Sequence, residues 1–165
     1  MRFPRWIVAA VLLIAAAAAR PSGRNIYPDP AQAHADIATA LKTAAATHKR
    51  ILLDFGADWC GDCVVLDMYL HNEQNRPLLD ANYVVVHVNV GHLDENLDIA
   101  ARYQVPVEHG VPEVAVLSET GKLLYSSRTK ELELAVQRSD ISAVTRFLMQ
   151  WKPTKTGCSM MAVNC

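Results

Sequence analysis

Two cysteines three residues apart, Cys60 and Cys63, follow closely on the run Arg50-Ile51-Leu52-Leu53-Asp54-Phe55. That run reads as a buried strand with one acid inside it. At this spacing the two thiols face one another across the first turn of a helix. There they can close a disulfide or share a metal ion. The chain is therefore constrained to a strand–turn–helix unit with a reactive sulfur pair at its corner.

The rest of the chain supplies partners for that unit. Asp29-Pro30 is a helix start, with Asp as N-cap and Pro at the first helical position. Ala31 to Lys49 carries Ile37, Leu41, Ala44 and Ala45 at helical spacing, which predicts a helix packed on a sheet. A helix over 60–71 follows the strand over 50–55, and Leu78-Leu79 marks a short helical stretch. Tyr83 to Val90 is dense in β-branched residues, which predicts a central parallel strand buried on both faces. Leu93 to Tyr103 fits a helix, and Val105 to Val111 a loop bordered by Pro106 and Pro112. Glu113–Leu117 and Leu123–Ser126 flank a hairpin turn at Glu119-Thr120-Gly121-Lys122. Asp140 to Trp151 closes as an amphipathic helix with Ile141, Val144, Phe147, Leu148 and Trp151 on one face. This order of helices and strands predicts an α/β fold with a mixed sheet.

The ends are different objects. Arg2 and Arg5 precede an uncharged apolar run, Trp6 to Ala19, that ends in Ala17-Ala18-Ala19. This is the order of a secretory signal, so residues 1–19 are read as a signal peptide or, if retained, an N-terminal anchor. As a helix the run would span about 21 Å, short of the ~30 Å of a bilayer core. Residues 20–30 read as a linker, 31–151 as one domain, and 152–165 as a tail containing Cys158 and Cys165. Export, into the periplasm in this reading, permits disulfides. The formal net charge is −1, which offers no electrostatic footprint for nucleic acid. Phosphate-cradling glycine loops and the H-E-x-x-H zinc motif are absent from the sequence.

Taken together, these segments resemble the thioredoxin superfamily. Leu53-Asp54-Phe55-Gly56-Ala57-Asp58-Trp59-Cys60-Gly61-Asp62-Cys63 resembles the strand-to-active-site segment. Val86 to Val90 resembles the next strand, and Tyr103-Gln104-Val105 with Gly110-Val111-Pro112 the segment ending at the family's cis-proline. The Ala57-Asp58-Trp59-Cys60 run is also similar to the C-terminal periplasmic domain of transmembrane thiol:disulfide interchange reductases. The resemblance covers roughly residues 31–151 and implies a thioredoxin-like fold, a central mixed sheet flanked by helices. The chain departs from the family pattern in having Asp62 between the cysteines, Val64 after them and His87 where a lysine is usual. It also lacks the helix-kinking proline over Val65–Leu70 and carries extra residues between Val105 and Gly110.

The chemistry expected is thiol–disulfide exchange with exported proteins. Cys60, at a helix N-terminus, is the attacking thiolate, and Cys63 displaces what it captures. Asp54 is expected to be a lone buried carboxylate whose pKa burial raises, suited to accept the Cys63 proton. Pro112, if cis, exposes the Val111 backbone for strand-like pairing with a substrate peptide, and Trp59 contacts substrate. Gly61 and Asp62 tune the couple. Asp62 repels the Cys60 thiolate by about 0.5–2.5 kcal/mol, against about 0.3–1 kcal/mol from the helix terminus. The near-balance predicts a reductant or mild exchanger, unless Asp62 is merely a solvated charge. His87 is either a hydrogen-bonded structural residue or a modulator of Asp54 or Cys63. Glu108 and His109 read as solvated loop, or as a gate.

No bound cofactor is needed, because the dithiol carries the electrons, and no metal ligand set is assigned. The expected partners are protein thiols and disulfides, with a membrane-bound reductase as electron donor, and the chain is expected to be a monomer. Cys158 and Cys165 form a structural disulfide, or shuttle electrons, or join Met160 and Met161 as soft ligands for Cu(I). The competing reading is a non-enzymatic copper- or zinc-binding module using Cys60 and Cys63 with that tail. A third is a redox-inert domain with a fixed disulfide.

Overall fold

The structure, a computed structural model, describes residues 25–127 and 130–154. The leader 1–19 and the Cys158/Cys165 tail lie outside the described residues. Among the described residues no helix is long and apolar enough to cross a membrane.

Asp29 caps a single 3-10 turn by accepting from the Ala31 backbone N–H at 2.9 Å. The turn leads into α1 (Ala33–Thr47), which stops at His48 in the left-handed conformation, φ 55°. Then come β1 (Arg50–Gly56), α2 (Gly61–Leu70), α3 (Arg76–Asn82) and β2 (Tyr83–Asn89). The chain finishes with α4 (Leu97–Arg102), β3 (Glu113–Leu117), β4 (Leu123–Ser126), α5 (Glu131–Gln137) and α6 (Ile141–Trp151). The four strands form one mixed sheet in the order β2-β1-β3-β4. β1 runs parallel to β2 and antiparallel to β3, and β4 closes the hairpin around Gly121. The predicted α/β fold with a central mixed sheet is the fold observed.

Strand alternation splits the core in two. Ile51, Leu53 and Phe55 of β1 meet α1 and α4 on one face. Leu52 packs with Leu66 and Leu70 of α2 and with Val144, Phe147 and Leu148 of α6 on the other. Asp54 shares the Leu52 face, so its carboxylate is delivered beneath α2.

Four expectations are corrected. Tyr83 to Val90 was expected at the centre of the sheet, but β2 is an edge strand and β1 is central. Only Tyr83, Val86 and Val88 of β2 are buried. Its outer edge opens on a groove bounded by Ile26, Pro28 and the Asp36–Thr43 face of α1. β-branched density reports strand conformation, and it cannot tell one neighbour from two. The helix expected over 93–103 begins only at Leu97, because the Val90 carbonyl collects the N–H groups of Leu93, Asp94 and Glu95 in a turn. Leu93 and Asn96 hold left-handed φ values of 70° and 55° there. α5 was not expected, yet it buries Leu132, Ala135 and Val136. Finally, residues 25–30, read as the end of a linker, pack onto the domain, with Tyr27 only 2% exposed.

Candidate active site

Gly56 ends β1, and a short turn puts Cys60 at the N-cap of α2. The Cys60 N–H donates to the Ala57 carbonyl at 3.0 Å. The Cys60 sulfur accepts from the Cys63 backbone N–H at 3.1 Å. Cys60 and Cys63 are joined by a disulfide, with Cα atoms 5.3 Å apart. Cys60 is less open than anticipated, at 6% exposed, and Cys63 is fully buried. The Cys60 sulfur lies 3.5 Å from the Val111 carbonyl oxygen. The Val111–Pro112 peptide is cis, so the pair faces the loop that precedes β3. Trp59 stands 53% exposed beside it. Its indole N–H donates to the Gly91 carbonyl at 2.6 Å, and its ring stacks on His92. Gly61 and Asp62 occupy the first turn of α2, with Gly61 exposed and Asp62 half-buried.

Asp54 is buried but not alone, which corrects the expectation of an unaccompanied carboxylate. Its Oδ2 accepts from the Tyr27 hydroxyl at 2.9 Å and from His87 Nδ1 at 2.9 Å. Its Oδ1 is buried without a hydrogen-bond partner among the described residues. His87 Nε2 approaches Asp67 Oδ1 at 3.9 Å, and that same oxygen pairs with His71 Nδ1 at 2.9 Å. Burial works against a charged His87. The Asp54 hydrogen bond and charge, with the charges of Asp67 and Asp58, outweigh it and hold the imidazole above its ordinary pKa. Burial first, then Asp54, Asp67 and Asp58, hold the Tyr27 phenol protonated well above the usual tyrosine range. The structure gives His87 a hydrogen bond to Asp54, which fits both the hydrogen-bonded structural residue and the modulator of Asp54.

Tyr27 and Asp67 escaped the sequence reading. Asp67 carried a usable signal: it is four residues after Cys63, so the two share a helix face with Leu66 and Leu70. Tyr27 carried none beyond a large aromatic next to a helix start. Its segment is held by Asp58 Oδ1, which accepts from the Ile26 and Tyr27 N–H groups at 2.9 and 3.2 Å. The Asn89 side chain also donates to the Pro28 carbonyl at 2.8 Å.

Directly after Pro112, Glu113 is buried, 1% exposed. It accepts from the Ser127 hydroxyl, which in turn accepts from the Val114 N–H. Burial raises Glu113 to a pKa of about 7, against the Ser127 hydrogen bond and the Lys130 charge, with Glu133 and Glu131 adding to the rise. A carboxyl raised in the folded state stabilises the fold when protonated. That contribution is complete below the ordinary value near 4.5 and is lost as pH climbs through about 7. Glu113→Gln is therefore expected to match the parent at pH 4 and to exceed it at pH 8, by at most about 3 kcal/mol. Urea unfolding at the two pH values reads the difference, and an equal gain at both would contradict the assignment.

Among the described residues no group of three or more His, Cys, Asp or Glu side chains is placed to hold a metal ion. Glu108 and His109 sit exposed on a one-turn helix in the loop before Pro112, where the Lys130 ammonium donates to the His109 carbonyl.

Comparison with known proteins gives three results. A family described as Thioredoxin-like matches residues 32–118. Among solved structures, a disulphide isomerase from Xylella fastidiosa Temecula1 is 33% identical with a TM-score of 0.70, covering 76% of this chain and 95% of that one. A mutant thioredoxin from Halobacterium salinarum NRC-1 is 23% identical with a TM-score of 0.46, covering 70% and 86% of the two chains. No curated protein matches the chain.

Proposed function

This chain belongs to the thioredoxin-like family, and on that premise we propose that it is an exported thiol–disulfide oxidoreductase acting on protein disulfides. The observation that carries the reading is the Cys60–Cys63 pair at the start of α2, against the Val111 carbonyl and in front of a buried carboxylate. The relative from Xylella fastidiosa, described as a disulphide isomerase, supports the same chemistry.

In the reduced protein the Cys60 thiolate attacks one sulfur of a substrate disulfide and expels the other as a thiolate. The Cys63 thiol then gives up its proton, with Asp54 as acceptor, and attacks Cys60. The substrate's remaining sulfur leaves as a thiolate, and the Cys60–Cys63 bond closes. Two electrons have passed to the substrate, and the disulfide form of this structure is the product. Trp59 and the Val111 backbone flank the sulfur and would hold the substrate chain. Asp62, in the first turn of α2, opposes a strongly stabilised Cys60 thiolate, which favours a reductant or mild exchanger. Electrons return from a partner dithiol, for which a membrane-bound reductase is the natural class. The leader read over residues 1–19 supports a reaction outside the cytoplasm.

The test is redox titration of the Cys60–Cys63 couple, followed by insulin reduction driven by dithiothreitol. A potential nearer about −270 mV than about −120 mV is expected, with catalysed precipitation of insulin. A Cys60–Cys63 bond that resists dithiothreitol would make the pair a fixed staple and end the proposal.

A further inference from the structure

A third group, the Tyr27 hydroxyl, lies beside the expected pair of Asp54 and Cys63. A Cβ built on Gly56 would lie 2.3 Å from the Tyr27 hydroxyl oxygen and 2.9 Å from the Cys63 sulfur. Both atoms thus border the same small gap at the end of β1. Tyr27, Cys60 and Cys63 form one buried cluster, bordered by Ile26 and Val111. The Tyr27 hydroxyl also donates to Asp54 Oδ2 at 2.9 Å. The phenol therefore bonds the carboxylate that must take a proton and borders the same gap as the sulfur that must lose one. Beyond the carboxylate, His87 hydrogen-bonds Asp54 and lines a cavity of about 220 Å³ with Asn25, Ile26, Asp67 and His71.

We propose that Tyr27 is a proton-relay residue, carrying the Cys63 proton to Asp54 through its hydroxyl, with His87 and its cavity as the exit to solvent. The relay rests on the exchange reaction proposed above and adds a specific route to it. As Cys63 attacks Cys60, the Cys63 proton passes to the Tyr27 oxygen while the Tyr27 proton passes to Asp54. The phenol is unchanged at the end. The net result is a Cys63 sulfur bonded to Cys60, a protonated Asp54 and a departed substrate thiolate. Passing both protons together avoids a free phenolate, which suits a hydroxyl that its surroundings keep protonated. Asp54 then releases its proton to solvent on the side of the cavity that His87 lines. The ionisable groups facing this set are Asp58 from the turn before α2, Asp67 within α2 and His71 at its end. The hydroxyl arrives from the segment preceding α1, outside the strand–turn–helix unit.

Reduced protein mixed with Ellman's reagent tests the route, because thionitrobenzoate leaves in two steps. The first release reports Cys60 attack, and the second reports Cys63 closing on Cys60. Tyr27→Phe keeps the ring and loses only the hydroxyl. It is expected to leave the first release within twofold of the parent and to slow the second by about tenfold or more. Its second release should also keep rising with pH beyond the point where the parent levels off, as direct thiol ionisation takes over. Asp54→Asn should slow the same step, and the double variant should be no slower than the slower single one, since both act on one route. A Tyr27→Phe second release at the parental rate overturns the proposal. Multiplying effects in the double variant also overturn it, because they give Tyr27 a separate, packing role. Failure of the parent protein to show the first release would instead sink the exchange reading itself.

Discussion

Cys60→Ser removes insulin reduction while leaving the fold in place, with turnover expected to drop by about a thousandfold or more. The separation of the two effects follows from the position. Cys60 is the N-cap of α2, and its sulfur accepts from the Cys63 N–H. A serine hydroxyl is a better acceptor at that position than a sulfur, so the helix start is kept. The reduced parent lacks the Cys60–Cys63 bond as well, so that bond does not enter the comparison. The melting temperature should therefore stay near that of the reduced parent. What disappears is the nucleophile, since an alcohol at this site is not ionised at neutral pH. Cys63→Ser makes the complementary case: Cys60 still attacks, nothing displaces the captured chain, and a mixed disulfide accumulates that mass spectrometry detects. Insulin reduction by Cys60→Ser at the parental rate would remove Cys60 from the mechanism.

The features legible in the sequence were those set by short-range rules. The strand before the cysteines, the helix after them, the hairpin at Gly121 and the stripe on α6 each follow from periodicity or a turn residue within a few positions. The proline opposite the cysteines was legible from resemblance, which carries long-range information that pattern alone lacks. What escaped depended on packing between distant segments. Tyr27 reaches Asp54 across 27 positions, and its place is fixed by the Asp58 tether. In sequence it stands in a polar, proline-flanked stretch that has every local mark of a linker. Asp54 read as an isolated acid for the same reason, because both of its partners come from outside its own strand. The edge position of β2 was hidden because neighbours in a sheet are chosen by crossover connections and not by strand composition. α5 lacks a capping side chain, and the acids Glu131 and Glu133 in its first turn were too weak a signal to mark its start.

Gly56→Ala is expected to destabilise the protein by about 1–3 kcal/mol and to slow the Cys63 step, although alanine is an ordinary residue at the end of a strand. The added carbon would sit 2.3 Å and 2.5 Å from the Tyr27 Oη and Cζ atoms and 2.9 Å from the Cys63 sulfur. Neither neighbour can yield easily. The phenol is buried and bonded to Asp54, and its backbone is bonded to Asp58. Cys63 is fully buried on a helix that packs on β1 through Leu66. Either Tyr27 withdraws, taking its hydroxyl from Asp54, or α2 shifts and the sulfur pair moves from the Val111 carbonyl. Chemical unfolding reads the energy, and the second release of thionitrobenzoate reads the consequence for the site. Gly61→Ala, one turn away, is the control for stability: an added carbon there meets nothing within 4 Å. A helix favours alanine over glycine, so that change should be neutral or stabilising. An effect of Gly56→Ala within about 0.5 kcal/mol of the parent would mean the gap is wider than this. The Tyr27 hydroxyl and the buried sulfur border the same gap, so here the requirement for glycine and the proposed route of the proton share one place in the fold.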